Sequence, residues 1–245
     1  MDKKPESPAL SPVGREPLSV IVAGRIRDAI VSGQLPDGSP LPGEKELGAR
    51  FEVGRSTVRE ALRILQAQGL VTGGDRVSTR TPTVNGRGAV SSAAFALENV
   101  LRLGQVPLQD LVSLRLLIEQ SALALAAARL DDEGRGRAED AIAEMDAAAD
   151  DIECFIDADV AFHATLIDAA GNAAYVLVNN VLRGTMAEHL RVALQRAQDL
   201  PAVTAKLNRE HRAILAAACA GDGSLAAQRV GAHIRDFYEQ QVAHD

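Results

Sequence analysis

The sequence predicts a mostly α protein in two parts, a small three-helix module closed by a hairpin and a larger all-α antiparallel helical bundle. Three observations point there. Of 245 residues nearly half are hydrophobic, but aromatics are only 3% and Trp is absent, so Ala and Leu must fill the cores and close-packed helices are favoured over a sandwich or barrel. Apolar residues recur at three- and four-residue intervals through most of the chain, and strand-like segments cluster at one place. The charge is also divided. Residues 1–88 hold 13 Lys/Arg and 10 Asp/Glu, whereas residues 89–245 hold 13 and 23, within a net charge of −7. A mildly basic module ahead of a strongly acidic one implies different partners for the two halves.

Residues 1–17, MDKKPESPALSPVGREP, are rich in Pro and Ser without an apolar h-region and read as a disordered leader rather than a secretion signal. No run approaches the roughly 18 apolar residues of a membrane span. A soluble, cytoplasmic protein with no membrane partner is expected. Cys154 and Cys219 fit neither a disulfide framework nor a CxxC site, and their alanine-rich helical surroundings suggest buried free thiols.

Residues 19–31, SVIVAGRIRDAIV, space Val22, Ile26 and Ile30 four apart, an amphipathic helix that SGQLPDGSPLPG ends. A short second helix, EKELGARF, turns Leu47 and Phe51 inward behind Gly43 as N-cap. The turn EVG leads to a third helix over 55–68, ended by Gly69. LVTGG and TRTPTV then read as two short strands around the tip DRVS. Three helices and a hairpin over residues 18–84 make a winged helix-turn-helix. NGRG supplies a linker at 85–90. From 91 to 243 helices are expected near 90–105, 108–130, 135–149, 152–170, 173–198, 203–220 and 224–243, broken at QVP, LDDEG, AAGN, DLP and AGDG. Short loops make successive helices antiparallel, hence a bundle.

The third helix carries the first functional signal. Val58, Leu62 and Leu65 share one face, and Arg55, Arg59 and Arg63 project elsewhere at four-residue spacing. In a helix-turn-helix the second helix of the motif enters the major groove with its N-terminal residues at base edges. The planar guanidinium forks of Arg55 and Arg59 suit guanine O6 and N7, while Ser56 and Thr57 suit phosphates or varied base edges. Lys45 and Arg63 suit phosphates. An isolated R-x-x-x-R more often solvates an ordinary helix; the surrounding helix–turn–helix–hairpin pattern reverses that preference here.

LPGEKELGARFEVGRSTVREALRILQAQGLV, within a region of about residues 18–84, resembles the DNA-binding domain of the GntR family of bacterial transcription regulators. The resemblance implies contact with double-stranded operator DNA through Lys45, Arg55, Ser56, Arg59 and the wing tip. Gly43 and Gly54 stand where the family commonly has Ser, and Lys45 replaces a frequent Arg. The wing GGDRVSTRTPTV lacks a glycine-rich tip, leaving Arg76 or Arg80 as its candidate contacts.

The second signal lies among the histidines. DADVAFHATL sets Asp159 and His163 at i,i+4 on one helix face. His211 and His233 stand on either side of the AGDG turn, so an antiparallel pair folded near Asp222 brings them to similar heights. One carboxylate and three imidazoles from three helices would form an N3O set suited to Zn2+, Ni2+ or a similar divalent ion. The alternative is three unrelated histidines and a local Asp–His hydrogen bond. LVSLRLLIEQSALALAAARL, DADVAFHATLIDAAGN, REHRAILAAACAGD and the closing helix with His233 are similar to the FCD effector domain of the FadR subfamily of GntR regulators. In its metal-containing branch an Asp and three His in this arrangement are the ligands, which implies that role for Asp159, His163, His211 and His233.

Arg115 interrupts the apolar series Leu111, Leu114 and Ile118, so it could clamp an anion at such a metal or simply pair with Glu119 on the helix surface. In the family an arginine here often reaches the effector. Asn180 and Arg183 are further effector candidates. Together these readings give a homodimeric, ligand-responsive transcription regulator that senses a small carboxylate, and the family resemblance implies that it is a repressor. A metal-dependent hydrolase fused to a DNA-binding module is the alternative, against which the sequence shows no general base at a recognisable spacing, no nucleophile elbow and no P-loop. A purely architectural DNA-binding protein would leave the metal constellation without a purpose.

Overall fold

The structure, a computed structural model, describes residues 16–73, 81–104, 106–148 and 151–242. Residues 1–15 of the expected leader and the wing tip 74–80, with Arg76 and Arg80, lie outside the described residues. The chain divides into two units between Ala93 and Ala94, each with its own core.

In the first unit α1 (Leu18–Val31) buries Val22, Ala23 and Ile26 against α3. α2 (Glu44–Phe51) buries Leu47 and stops at Glu52, which adopts a left-handed φ of 55°. That conformation costs a non-glycine residue about 1–2 kcal/mol, and it starts the tight turn that lays α3 (Arg55–Ala67) against α2. α3 contributes Val58, Ala61, Leu62 and Leu65 to the core, none more than 3% exposed. It ends at Gly69, where φ is 72° and an added Cβ would lie 2.5 Å from the Gly88 carbonyl oxygen. Only glycine fits there. β1 (Val71–Thr72) and β2 (Thr83–Val84) pair antiparallel with Val71 opposite Val84. The Val84 and Leu41 amides donate to Ser39 and Pro82 carbonyls at 2.9 and 2.7 Å, so residues 39–41 add a short third edge to the hairpin.

The linker expected at 85–90 is helical instead. α4 (Gly86–Arg102) begins there because Asn85 Oδ1 accepts the Gly88 amide at 3.1 Å, and Asp37 Oδ1 accepts the Gly86 amide at 2.6 Å. Towards its other end, Ala94 and Leu101 join the core of the second unit.

That unit is all helical among its described residues. α5 (Leu108–Ala126) packs on α10 and α7, α6 (Asp132–Ala147) on α7 and α9, and α8 (Ala173–Arg196) on α7 and α5. α9 (Leu200–Cys219) lies against α10 (Gly223–Val242). α7 (Ile152–Ala169) contributes the core residues Phe155, Ile156, Phe162, Leu166 and Ile167. Side chains of Asp131, Asp151, Asn172 and Asp199 cap α6, α7, α8 and α9. Capping explains two shifted starts. α6 begins at Asp132 rather than 135, and α9 at Leu200 rather than 203, with Pro201 tolerated in a first turn whose amides have no helical acceptor anyway. Cys154 and Cys219 are both exposed, contrary to expectation: each is one residue, about 100° of helix, away from a buried neighbour, Phe155 or Ala218. Among the described residues no helix is long and apolar enough to cross a membrane.

Candidate nucleic-acid interface and metal centre

α3 is sharply two-sided. Opposite its buried face, Arg55, Ser56, Arg59 and Arg63 are exposed and Thr57 is half-buried; Lys45 on α2 is exposed as well. Gly54, the N-cap, offers no side chain, so the first amides of α3 carry no side-chain cap at the positive end of the helix dipole. Arg55 and Lys45 have no ion-pair partner among the described residues. Arg63 pairs with Glu60 at 3.3 Å. Arg59 donates through Nε to both carboxylate oxygens of Glu44, at 3.0 and 2.9 Å. Glu44 thus holds the Nε edge of the guanidinium and leaves its two terminal nitrogens uncommitted. Glu44→Gln is expected to loosen that grip and narrow the preference for a specific over a random duplex about threefold to tenfold, for roughly 1 kcal/mol. The pair is exposed, so thermal stability should hardly move; equal weakening on both duplexes in fluorescence anisotropy would contradict a positioning role.

In the second unit α7, α9 and α10 bring Asp159, His163, His211 and His233 together, all buried, with one potential ligand atom from each lying within 4.8 Å of the others. His211 Nε2 is 3.2 Å and His163 Nε2 3.9 Å from Asp159 Oδ1. The three rings crowd one another at centroid separations of 4.6–5.4 Å, and Phe162 packs against two of them. Two outer carboxylates fix ring orientation. Glu119 on α5 meets His163 Nδ1 at 2.6 Å, and Glu210 on α9 meets His233 Nδ1 at 2.7 Å, each leaving Nε2 directed elsewhere. His163 Nε2 and both nitrogens of His211 are buried without any hydrogen-bond partner.

Orphaned imidazole nitrogens facing a carboxylate are costly as they stand, and they are what a divalent cation would satisfy. The residues fit a metal. Carboxylates that orient ligating histidines are the usual outer layer of such sites. Charge agrees: Arg115 Nε is 2.5 Å from Glu119 Oε1, so that buried pair is neutral, and Lys206 lies 3.7 Å from Glu210. With neutral imidazoles the inner set carries one negative charge, from Asp159. Burial opposes ionisation of Asp159, yet His211, His163 and Arg115 facing it hold the carboxyl well below its ordinary value. Burial likewise opposes Glu119, and Arg115 followed by His163 lowers it to about 2.

His211 and His233 are held below the ordinary imidazole value of 6.5, by burial first, although Asp159 and Glu210 pull the other way. The sign of the pH dependence follows. Below about pH 6.5 the unfolded chain binds protons that the folded, metal-free chain refuses, so stability present above that pH is lost as pH falls. Chelator-treated protein should melt progressively lower between about pH 7 and pH 5.5; a level or rising melting temperature over that interval would refute the assignment of buried neutral rings.

A cavity opens beside the cluster. Arg115 and Arg183, both expected at an effector site, line it. Asn180 does not; it is exposed, and Asn179 lines the cavity in its place, because one residue turns about 100° around α8. Arg115 is only 14% exposed and its guanidinium, paired to Glu119, also reaches the Tyr238 hydroxyl at 3.5 Å. It is therefore both paired with Glu119 and placed at the cavity, not on the helix surface. Glu119, Glu210, Asn179 and Tyr238 also stand at the cluster or the cavity, and sequence reasoning did not assign them. The signals for the first two were the four-residue step from Arg115 and the adjacency to His211.

Both units match known protein families. Residues 18–80 match bacterial regulatory proteins of the gntR family, and residues 110–236 match the FCD domain. The HTH-type transcriptional repressor NanR of Klebsiella aerogenes is 31% identical over 173 residues, a stretch spanning 70% of this chain and 65% of that protein, just under two thirds of its length. Streptococcus agalactiae GntR superposes with a TM-score of 0.62 at 24% identity, covering 89% of this chain and 98% of its own. E. coli McbR/YncC does so at 0.50 and 19%, covering 91% and 98%; these two likenesses concern the fold. With a winged helix-turn-helix at one end and an Asp/His3-bearing FCD domain at the other, the chain belongs to the gntR family of bacterial regulatory proteins.

Proposed function

We propose that the chain is a ligand-responsive transcription regulator, a cytoplasmic homodimer acting as a repressor. Its winged module binds paired half-sites of double-stranded operator DNA, and its FCD domain senses a small carboxylate beside a divalent metal, Zn2+ or Ni2+. The observation that carries this reading is the two-sided α3, with Arg55 and Arg59 exposed over a fully buried aliphatic face.

On DNA, Arg55 and Arg59 would read base edges, with Ser56 and Thr57 beside them, while Lys45, Arg63 and the open amides of α3 engage phosphates. One such helix spans too few base pairs for useful specificity, which is why two half-sites are needed. In the FCD domain Asp159, His163, His211 and His233 would hold the metal, with Glu119 and Glu210 orienting two of the rings. A bound ion would supply a Lewis-acidic position that can accept a carboxylate oxygen. Arg115 and Arg183 would attract the anion, and the apolar cavity wall would exclude water from it. Effector binding changes DNA affinity only so far as it favours one arrangement of the two DNA-binding modules over another.

The hydrolase alternative is set aside. The matched families are regulatory, and the carboxylates nearest the cluster, Glu119 and Glu210, are engaged with its histidines rather than free to activate water. The test is a titration of the full chain against duplex fragments from its own promoter region and against random duplex, before and after carboxylates are added. A preference for a promoter fragment that one carboxylate weakens supports the proposal. Indifference to sequence overturns it.

A further inference from the structure

α5 keeps its charges away from its outward face. From Leu108 to Arg129 the chain has four charged residues, Asp110, Arg115, Glu119 and Arg129. Arg115 and Glu119 line the cavity at the metal cluster. Between Asp110 and Arg129 the outward face therefore carries no charge at all, whereas a surface helix ordinarily turns charged and polar residues to water. α7 and α10 pack on other sides of α5. On the remaining side Leu114, Leu117, Ala124 and Leu125 are exposed, Leu117 by 63%, with Ser121 half-buried among them.

Asp110, Leu114, Leu117, Ser121 and Ala124 follow one another at alternating steps of four and three residues, the period of a helix–helix seam. The strip is graded, bulky near its start and small near its end. A second copy of α5 laid antiparallel about a two-fold axis level with residue 119 sets Leu114 opposite Ala124 and Leu117 opposite Ser121. Each large side chain then meets a small one, as close packing requires. The ends agree. Asp110 comes level with the copy's Ala128, beside its Arg129, so each end of the strip gains an opposite charge. Arg129 donates one nitrogen to the Ala170 carbonyl and keeps other donors for a carboxylate. A parallel pair would instead set leucine on leucine and Asp110 on Asp110, a like-charge contact.

Resting on the homodimer reading above, we infer that two copies of this chain meet along α5, antiparallel and two-fold, with Leu114 and Leu117 of each seated on Ser121 and Ala124 of the other. The contact is self-complementary, as a two-fold interface must be. It also lies on the opposite side of one helix from the metal cluster. Glu119, level with the axis, faces inward to His163 at 2.6 Å.

Sedimentation velocity of the full chain and cysteine cross-linking test this. Leu117→Glu places a charge in each half of the seam and should raise the dimer dissociation constant at least about 100-fold. In a Cys154→Ser/Cys219→Ser background, both positions being exposed, Leu114→Cys combined with Ala124→Cys should give a covalent dimer on mild oxidation. Either new cysteine alone should not, because about 15 Å of helix separates it from its own copy, too far for a disulfide. A Leu117→Glu variant as dimeric as wild type overturns the inference and leaves the homodimer reading standing. So does a dimer that only Phe95→Glu dissociates, which would move the seam to α4, where Phe95 is 65% exposed. A covalent dimer from one cysteine, or none from the pair, removes the antiparallel register and the inference with it. Monomeric wild type overturns both.

Discussion

Replacing Arg55 and Arg59 together with Ala is expected to abolish discrimination between operator and random duplex and leave the fold intact. Both side chains are exposed, and alanine is the best helix former, so the melting temperature should change little. The effect on DNA is much larger. Each bidentate guanine contact is worth about 1–3 kcal/mol of discrimination, so removing two per half-site costs roughly 30-fold to 10⁴-fold. The salt dependence separates base reading from phosphate binding. If the two arginines read bases, random duplex binding and its salt slope should be nearly unchanged. If they sit on phosphates, both duplexes weaken together and the slope falls by about 0.9 for each phosphate no longer neutralised. Uniform weakening with a shallower slope would remove Arg55 and Arg59 from base readout and pass that role to Ser56, Thr57 or the wing.

The contrast between the two halves shows what a sequence can disclose. On α3 the determinants are local: the three- and four-residue spacing of Val58, Leu62 and Leu65 is itself the statement that the arginines lie on another face. The cluster of Asp159 with three histidines is legible for a related reason. Asp159 and His163 are one turn apart, and His211 and His233 straddle a turn symmetrically, so helical geometry alone brings each pair near a common level. What stays hidden depends on the rotation of one helix against another. Glu119 meets His163 across α5 and α7, and Glu210 meets His233 across α9 and α10. Neither pairing has a sequence period. The same limit explains why the sequence points to Asn180 where Asn179 lines the cavity: along α8 a single residue exchanges a wall position for an exposed one. The helical start at Gly86 escapes the sequence for a different cause. Gly and Asn signal breaks in sequence, yet here Asn85 caps a helix and Gly88 leaves room for the cap, since a Cβ there would lie 2.0 Å from Asn85 Nδ2.

His211→Ala should remove the response of the second unit to metal. His211 is fully buried, its Nε2 lies 3.2 Å from Asp159 Oδ1 and neither ring nitrogen is in a hydrogen bond, so a metal shared with Asp159 would satisfy it. Chelator-treated wild type supplied with Zn2+ at a thousand times its dissociation constant gains about 4 kcal/mol from mass action. For a unit of roughly 150 residues that is a rise of about 8–16 °C in melting temperature. The variant should show almost none of it, with α3 still able to bind DNA because it belongs to the other core. Truncating a buried ring also leaves a void, so the metal-free variant itself should melt lower by an amount typical of large-to-small core changes, about 2–4 kcal/mol. Glu119→Gln separates holding the metal from merely filling space. It preserves volume and keeps a hydrogen bond to His163 possible, but it removes the carboxylate charge beside the ring and leaves the buried Arg115 guanidinium without its ion-pair partner, so the metal-free variant also melts lower. Its melting temperature should therefore still respond to Zn2+, at concentrations about 10- to 100-fold higher. A wild-type melting temperature that neither Zn2+ nor Ni2+ moves after chelator treatment would make Asp159, His163, His211 and His233 a polar core, and the sensing role would then have to lie elsewhere in the domain.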